Sequence, residues 1–183
     1  DDILFLLATN NMKSTRKVVG TLMTNYGIRE AYEDAGIDFI ETDVGDINVA
    51  NKIRECDCSF GGESSGHIIF NDFKDFFYGD SMITLINVIK LLVDSKKSLF
   101  ELNQHISKIP SELINIKIND KSTFFSNEKN ITIISYIKEQ IGSNGRLLVR
   151  PSGTENIVRF LIEHRETREI SALKSYLYDN IET

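Results

Sequence analysis

The chain has 183 residues, of which 41% are hydrophobic and 26% charged, and its formal net charge is −6. This composition is typical of a globular protein that buries a substantial core, and it excludes fibrous and low-complexity chains. An acidic chain without a cluster of lysines and arginines argues against nucleic acid and anionic lipid as partners. No apolar run reaches the length of a membrane span.

Compartment is indicated by the cysteines and by the N-terminus. Cys56 and Cys58 are separated by one residue, a spacing that rarely forms an unstrained disulfide, and no further Cys or His lies near them to complete a zinc site. We therefore expect two reduced packing residues in a cytoplasmic protein. The chain begins at Asp1 without a methionine or a secretion signal, which suggests a piece of a longer protein.

The first part of the chain alternates helical and extended patterns. Residues 3–8 are predicted to be helical, with Asp46 capping a later helix and Ser98 and Glu101 forming a capping box. Strands are expected at residues 17–23 and 38–42, and further helices at 26–34, 46–55, 79–94 and 98–105. The long helix is predicted to be amphipathic, with Ile83, Ile86, Ile89, Lys90 and Val93 near helical spacing, and Gly79-Asp80 is interpreted as a turn and a cap at its start.

Pro110 marks a boundary, because the residue before a proline is driven out of helical geometry. Beyond it we expect strands at residues 114–118, 146–149 and 157–163, and helices at 130–141 and 168–181. The prediction is an α/β layered domain over residues 1–108, followed by a small α+β domain over residues 112–183. The second domain should have an antiparallel sheet with its helices on one face.

The loop Gly61-Gly62-Glu63-Ser64-Ser65-Gly66-His67 has an unusual composition for a connection. Its glycines permit tight turns, and its carboxylate, hydroxyls and imidazole could hold a polyhydroxylated sugar. A solvated surface turn is an equally good interpretation of this loop alone. Upstream, the backbone N–H groups at Val44-Gly45-Asp46 could meet a phosphate, although a helix cap at Asp46 is the simpler interpretation.

A second loop, Arg150-Pro151-Ser152-Gly153-Thr154-Glu155, has the groups that bind phosphate. A guanidinium offers a planar fork, hydroxyls add donors, and the glycine lets successive N–H groups converge on an anion. Arg159 in the next strand could add a donor or face solvent. A polar hairpin with an exposed arginine is the alternative.

Taken together and in this order, the two loops, the intervening Gly79-Asp80 and the later Val158-Arg159 resemble the phosphohexomutase superfamily over nearly the whole chain. Within it, the Ser-Gly-Thr-Glu run resembles the phosphoglucosamine mutases. The resemblance is to the third and fourth domains of these four-domain enzymes. No Asp-x-Asp-x-Asp-Arg run occurs, so the metal loop and the phosphoserine loop of the family have no counterpart here.

The resemblance implies interconversion of glucosamine 6-phosphate and glucosamine 1-phosphate through a sugar bisphosphate, with Mg²⁺ in the complete enzyme. Glu63 and Ser65 would hold sugar hydroxyls, and His67 would bind substrate or transfer a proton. Phosphate binding would fall to the second loop, at Arg150, Ser152, Gly153 and Thr154. The partners implied are a phosphorylated amino sugar and the missing N-terminal domains, with the fragment itself inactive and holding no metal.

Departures from the family pattern leave alternatives open. Ile47 and Asn48 stand where relatives usually have Arg and Tyr, and the loss of that arginine would weaken a phosphate site to which it contributed. A sister mutase that acts on mannose or glucose phosphates differs only in loop details. A non-catalytic module that binds sugar phosphates is the alternative of a different class.

Overall fold

The computed structural model describes residues 1–11, 16–73, 76–104 and 106–183, with the side chains of residue 11 and residues 72–78 left aside. Two compact units are formed, Asp1–Lys108 and Ile109–Thr183. Among the described residues, no helix is long and apolar enough to cross a membrane.

The first unit is built on a mixed β-sheet. In chain order its elements are α1 (Asp2–Asn11), β1 (Lys17–Thr21), α2 (Tyr26–Asp34), β2 (Asp38–Thr42), α3 (Asp46–Cys56), β3 (Phe60–Gly62), β4 (Ile68–Phe73), β5 (Phe76–Gly79), α4 (Ser81–Ser95) and α5 (Leu99–Asn103). The strand order is β2-β1-β3-β4-β5. β1 pairs in parallel with both β2 and β3, and the remaining pairs are antiparallel.

Both faces of this sheet are covered, because alternate residues of a strand point to opposite faces. Val18 joins a buried cluster with residues of α1, α2 and α4, and Val19 joins a second cluster with Val49 and Ile53 of α3. The layered α/β architecture predicted for this part of the chain is confirmed.

The second unit is a small α+β domain. Its elements are β6 (Ser111–Lys117), α6 (Lys121–Ser126), α7 (Glu128–Ile141), a 3₁₀ turn (Gly142–Asn144), β7 (Gly145–Pro151), β8 (Ile157–His164) and α8 (Thr167–Asn180). The strands are antiparallel in the order β6-β8-β7. Val158, Phe160 and Ile162 of β8 share one buried cluster with residues of α7 and α8, so the helices cover one face of the sheet as predicted.

Two expectations about local structure were wrong. The predicted start of the long helix at residue 79 is wrong, because residue 79 ends β5. The interpretation of Asp80 as its cap is confirmed, since the Asp80 carboxylate accepts hydrogen bonds from the N–H groups of Met82 and Ile83. The helix buries Val88 and Leu91, whereas the apolar residues placed near helical spacing include three that are at least half exposed. Those three are Ile86, Ile89 and Val93.

The Ser98 capping box is present as predicted, with Ser98 and Glu101 exchanging backbone and side-chain hydrogen bonds. The helix that it starts ends at Asn103. The predicted extension of this helix to residue 105 ends outside the described residues.

Candidate functional site

The parallel pairing of β1, β2 and β3 brings two polar loops together. The loop after β2 and the loop after β3 both leave from the carboxyl ends of their strands, which lie at the same edge of the sheet. This edge is where open α/β sheets bind ligands. The Gly45 N–H donates to Oε1 of Glu63 over 2.8 Å, so the two loops are joined across the end of β1.

Glu63 is held on three sides by the backbone. Besides the bond from Gly45, its own N–H donates to the carbonyl of His67 at 2.9 Å, and its carbonyl accepts from Gly66 at 3.0 Å. The residue is 8% exposed. One carboxylate oxygen is therefore engaged inside the protein, and Oε2 is the oxygen left to meet a ligand.

His67 lies at the end of this loop and contacts Asp46. Its Nδ1 is 2.9 Å from Oδ1 of Asp46 and 3.9 Å from Oε2 of Glu63. The prediction that Asp46 caps its helix is wrong, because the N-cap residue of α3 is Gly45 and no side chain caps the helix. The Asp46 carboxylate is used on the imidazole instead.

A groove of about 630 Å³ opens beside these residues. Its polar side is formed by Asp46, His67 and the start of α4 at Asp80 and Ser81, and its apolar side includes Leu85 and Val88. Ser65 is exposed on the same loop. Apolar walls with a few convergent polar groups are typical of small-molecule sites.

Within the described residues, the only cluster of His, Cys, Asp and Glu with donor atoms close enough to share a metal ion is Asp46, Glu63 and His67, whose donors lie within 4.8 Å of one another. Magnesium prefers oxygen ligands in a near-ideal octahedron and retains several waters. Here one donor is an imidazole, and the Glu63 carboxylate already accepts from Gly45. The group does not fit magnesium.

In the second unit, the loop between β7 and β8 gathers the predicted phosphate-binding residues. Ser152 is 5% exposed; its N–H donates to the carbonyl of Ile157 at 2.8 Å, and its Oγ accepts from Glu155 N–H at 3.3 Å. Gly153 and Thr154 are exposed. A Cβ added at Gly153 would meet nothing within 4 Å, so the space beside this glycine is open.

Arg150 precedes this loop and lies directly opposite Arg159 on the neighbouring strand. Arg159 is in turn opposite Asn115 of β6, so the three side chains form a row across the sheet. The Arg150 Nε is buried without a hydrogen-bond partner, and neither arginine forms an ion pair with any residue that the structure describes. Guanidinium groups without an acidic partner, placed next to hydroxyl groups, have the chemistry needed to donate hydrogen bonds to an anion.

Two residues of this arrangement were missed or left undecided by sequence reasoning. Asp46 was assigned to helix capping, and only the meeting of the β2 and β3 loops shows its contact with His67. Arg159 was left between a donor role and solvent exposure. The signal that could have found it is strand periodicity, because Val158 and Phe160 are buried on one face and Arg159 must point to the other.

Comparison with known proteins identifies the family. The family model described as the α/β/α domain III of phosphoglucomutase/phosphomannomutase matches residues 1–109, and the model of the C-terminal domain of the same family matches residues 113–179. The chain belongs to the phosphoglucomutase/phosphomannomutase family.

Among curated relatives, phosphoglucosamine mutase of Natranaerobius thermophilus is 40% identical over 91% of this chain, and that of Chlamydia trachomatis is 32% identical over 99%. The chain spans only 39% and 40% of the length of these relatives. The fold also matches a crystal structure of N-acetylglucosamine-phosphate mutase in a product complex, with a TM-score of 0.77 at 20% identity, covering 99% of this chain and 43% of that one. A second match is Aspergillus fumigatus N-acetylphosphoglucosamine mutase in complex with GlcNAc-6P and magnesium, with a TM-score of 0.76 at 17% identity, covering 98% and 46%.

Proposed function

We propose that this chain supplies the sugar-binding and phosphate-binding loops of a phosphoglucosamine mutase, which interconverts glucosamine 6-phosphate and glucosamine 1-phosphate in the cytoplasm. The observation that carries the proposal is the cross-strand pair Arg150 and Arg159, in which the buried Nε of Arg150 has no hydrogen-bond partner among the described residues. Burying a charged donor without an acceptor is costly, so the arrangement is best explained by a bound anion.

Each loop would bind one kind of group, the second loop a phosphate and the first loop sugar hydroxyls. Arg150, Ser152, Gly153, Thr154 and Arg159 would hold the phosphate that is not transferred. Binding of this remote group provides energy that orients the reacting end of the sugar. The open space at Gly153 allows a phosphate oxygen to approach the backbone closely.

At the first loop, Glu63 and Ser65 would hold sugar hydroxyls. The free Oε2 of Glu63 accepts hydrogen bonds, and the exposed Ser65 hydroxyl can both donate and accept. His67 would bind a further polar group of the sugar. A ligand in the groove would meet the polar groups of Asp46, His67 and Asp80 on one side and apolar side chains on the other, whereas Glu63 and Ser65 lie outside the groove lining.

The complete enzyme would use magnesium and a sugar bisphosphate intermediate. The Aspergillus fumigatus enzyme has been crystallised with magnesium, and a variant of that enzyme with glucose 1,6-bisphosphate. Magnesium and the phosphoryl donor would be held by domains that the longer relatives carry in addition. These domains are the partner that we propose for catalysis.

Isothermal titration calorimetry tests the substrate class. We expect glucosamine 6-phosphate to bind the 183-residue chain more tightly than mannose 6-phosphate or inorganic phosphate, since its ammonium group adds a charged donor for the acceptors of the first loop. Equal affinity for all three ligands would reduce the site to a phosphate site. Tighter binding of mannose 6-phosphate would favour the sister phosphomannomutase/phosphoglucomutase activity.

The second candidate is a sugar-phosphate-binding module without catalysis. It rests on the same groups, since Arg150, Arg159 and the acceptor Oε2 of Glu63 would suffice to bind a sugar phosphate without a phosphoryl donor. Adding a separately expressed N-terminal half of a related mutase distinguishes the two. Turnover of glucosamine 6-phosphate by the mixture would support the mutase, and tight binding that never leads to turnover would support the module.

A further inference from the structure

We propose that Asp46 is a positioning residue that keeps the ring proton of His67 on Nδ1, which leaves Nε2 as a hydrogen-bond acceptor for the ligand. The part of this proposal in which a ligand donates a hydrogen bond to Nε2 of His67 rests on the proposed function. The state of the imidazole itself does not depend on it.

The contact is specific to Asp46 among the two carboxylates near the ring. Oδ1 of Asp46 is 2.9 Å from Nδ1, which is a hydrogen-bond distance, whereas Oε2 of Glu63 is 3.9 Å away. Glu63 is also committed to Gly45 through its other oxygen. Asp46 is the first residue of α3 and does not cap the helix, so its carboxylate can accept a hydrogen bond from the imidazole.

The chemistry of the two groups determines where the proton lies. A carboxylate only accepts hydrogen bonds, so a ring nitrogen at 2.9 Å from it must carry the hydrogen. In a neutral imidazole with a proton on Nδ1, Nε2 has the lone pair. The same logic orients histidines that hold metals, where a carboxylate on one nitrogen fixes the tautomer and raises the basicity of the other.

The backbone around the pair holds this arrangement in place. Gly45 and Gly66 adopt φ values of 124° and 103°, a region that favours glycine, and each lies next to one member of the pair. The Gly45 N–H to Glu63 bond and the Glu63 N–H to His67 carbonyl bond tie the two loops together. The Asp46 carboxylate and the His67 ring are therefore presented to each other by fixed backbone.

The tautomer of His67 determines which groups of a ligand can form a hydrogen bond with its Nε2. The side chain of His67 is 63% exposed and lines the groove, so Nε2 can be reached from solvent. An acceptor at this position pairs with a hydroxyl or an ammonium group, which are the donors of an amino sugar. Removing Asp46 releases the ring to either tautomer, and the acceptor is then present for only part of the time.

Imidazole ¹⁵N NMR of the full chain measures the tautomer directly. His67→Gln identifies the His67 signals among the three histidines of the sequence. At a pH where the ring is neutral, we expect a protonated Nδ1 and an unprotonated Nε2. Asp46→Ala should shift the ring toward the Nε2–H form, whereas Asp43→Ala, which removes an exposed carboxylate from the same loop, should leave the spectrum unchanged.

Glu63→Gln separates the two carboxylates, because it should leave the His67 tautomer as it is. Amide spectra of each variant establish that the fold is intact. An Nε2–H tautomer in the unaltered chain, or an Asp46→Ala spectrum identical to it, would overturn the proposal.

The hydrogen bond between Nε2 of His67 and the ligand is tested by a separate measurement of affinity. Asp46→Ala should weaken binding of glucosamine 6-phosphate about three- to tenfold, as expected for the partial loss of one hydrogen bond, and Asp43→Ala should not. Unchanged affinity in Asp46→Ala, together with the expected tautomer change, would overturn the role of His67 in binding. If the unaltered chain binds no sugar phosphate, the proposed function fails, and the tautomer result still decides the Asp46 relationship.

Discussion

Arg150 of β7 and Arg159 of β8 are direct cross-strand neighbours, and the structure gives neither of them an acidic partner among the described residues. Like charges directly opposite one another on a sheet are destabilising. The same sheet does pair an arginine where stability requires it, since Arg146 contacts the buried carboxylate of Glu163 at 2.7 Å. The two ends of this face of the sheet therefore differ in charge. The positive charge of Arg146 is balanced by Glu163, whereas the charges of Arg150 and Arg159 are not balanced by any described carboxylate.

This contrast predicts how phosphate binding responds to substitution. Arg150→Ala and Arg159→Ala should each weaken binding of inorganic phosphate by about tenfold or more, because each removes a charge-assisted hydrogen bond. Arg168→Ala is the matched control, since Arg168 is exposed on α8 and contacts Glu166 and Glu169. Calorimetry in low-salt buffer measures all three. Equal loss in the control would mean that binding follows net charge and not this site.

Folding stability should move in the opposite direction from binding. In phosphate-free buffer, Arg159→Ala should raise the free energy of unfolding of the second unit by up to about 1 kcal/mol, because it relieves the repulsion from Arg150. Chemical denaturation with and without phosphate measures the difference. A large destabilisation of Arg159→Ala in phosphate-free buffer would show that the Arg159 guanidinium stabilises the fold, and would contradict the proposal that it serves to bind an anion.

Gly61 makes a prediction about the strand that precedes the first loop. A Cβ at Gly61 would lie 2.6 Å from the carbonyl oxygen of Val19 on the neighbouring strand, so β1 and β3 can approach only with glycine here. Gly61→Ala should destabilise the first unit by about 1–3 kcal/mol. Gly79→Ala is the control, because its Cβ would meet atoms only at 3.7 Å. Urea unfolding that gave the same midpoint for both variants would contradict the close approach.

How far the sequence determines the fold is seen in particular elements. α2 and β2 are found at their predicted bounds, because each has a clear period and a polar or glycine boundary. The buried face of α4 was predicted wrongly, because the apolar periodicity selects the side of Ile86, Ile89 and Val93, which is exposed in this chain. The short α6 and β5 are too brief to show a period, and both were missed.

The site was predictable in its composition but not in its contacts. Each loop could be found because glycine, hydroxyl and charged residues interrupt apolar runs. The Asp46–His67 contact joins residues 21 positions apart, and it depends on the parallel pairing of β1 with both β2 and β3. The single sequence offers no local signal for such pairing.

The two cysteines differ in their predicted reactivity. Burial raises the pKa of Cys58 to about 11, and the residue is 1% exposed between α3 and the sheet. At neutral pH it is therefore an inert thiol. A thiol reagent should modify Cys56 in the folded chain, and Cys58 only after unfolding. The variant Cys56→Ser should show no fast phase, so rapid labelling of that variant would contradict the buried position of Cys58.

The N-cap of α6 makes a prediction about stability in acid. Hydrogen bonds from the Ser122 hydroxyl and the Thr123 N–H lower the pKa of Asp120 to about 2. A carboxyl with a lowered pKa stabilises the folded state above its unfolded pKa, and this contribution is lost as pH falls toward 2. Asp120→Ala should therefore have a lower free energy of unfolding than the unaltered chain at pH 6. This gap in the free energy of unfolding should close between about pH 4 and 2.

Unfolding by urea across this pH range measures the gap. Asp179→Ala, an exposed carboxylate on α8, is the control and should show no such narrowing. A gap for Asp120→Ala that stayed constant from pH 6 to 2 would mean that the carboxylate does not make these bonds in solution.

If the proposed function is correct, a phosphorylated amino sugar binds at the first loop and at the second. An amide NMR titration of the 183-residue chain with glucosamine 6-phosphate, compared with mannose 6-phosphate, decides this. We expect saturable shifts at residues 62–67 and at residues 150–154, larger for the amino sugar. If saturating ligand shifts neither segment, the chain does not bind such a sugar and the proposed function is wrong.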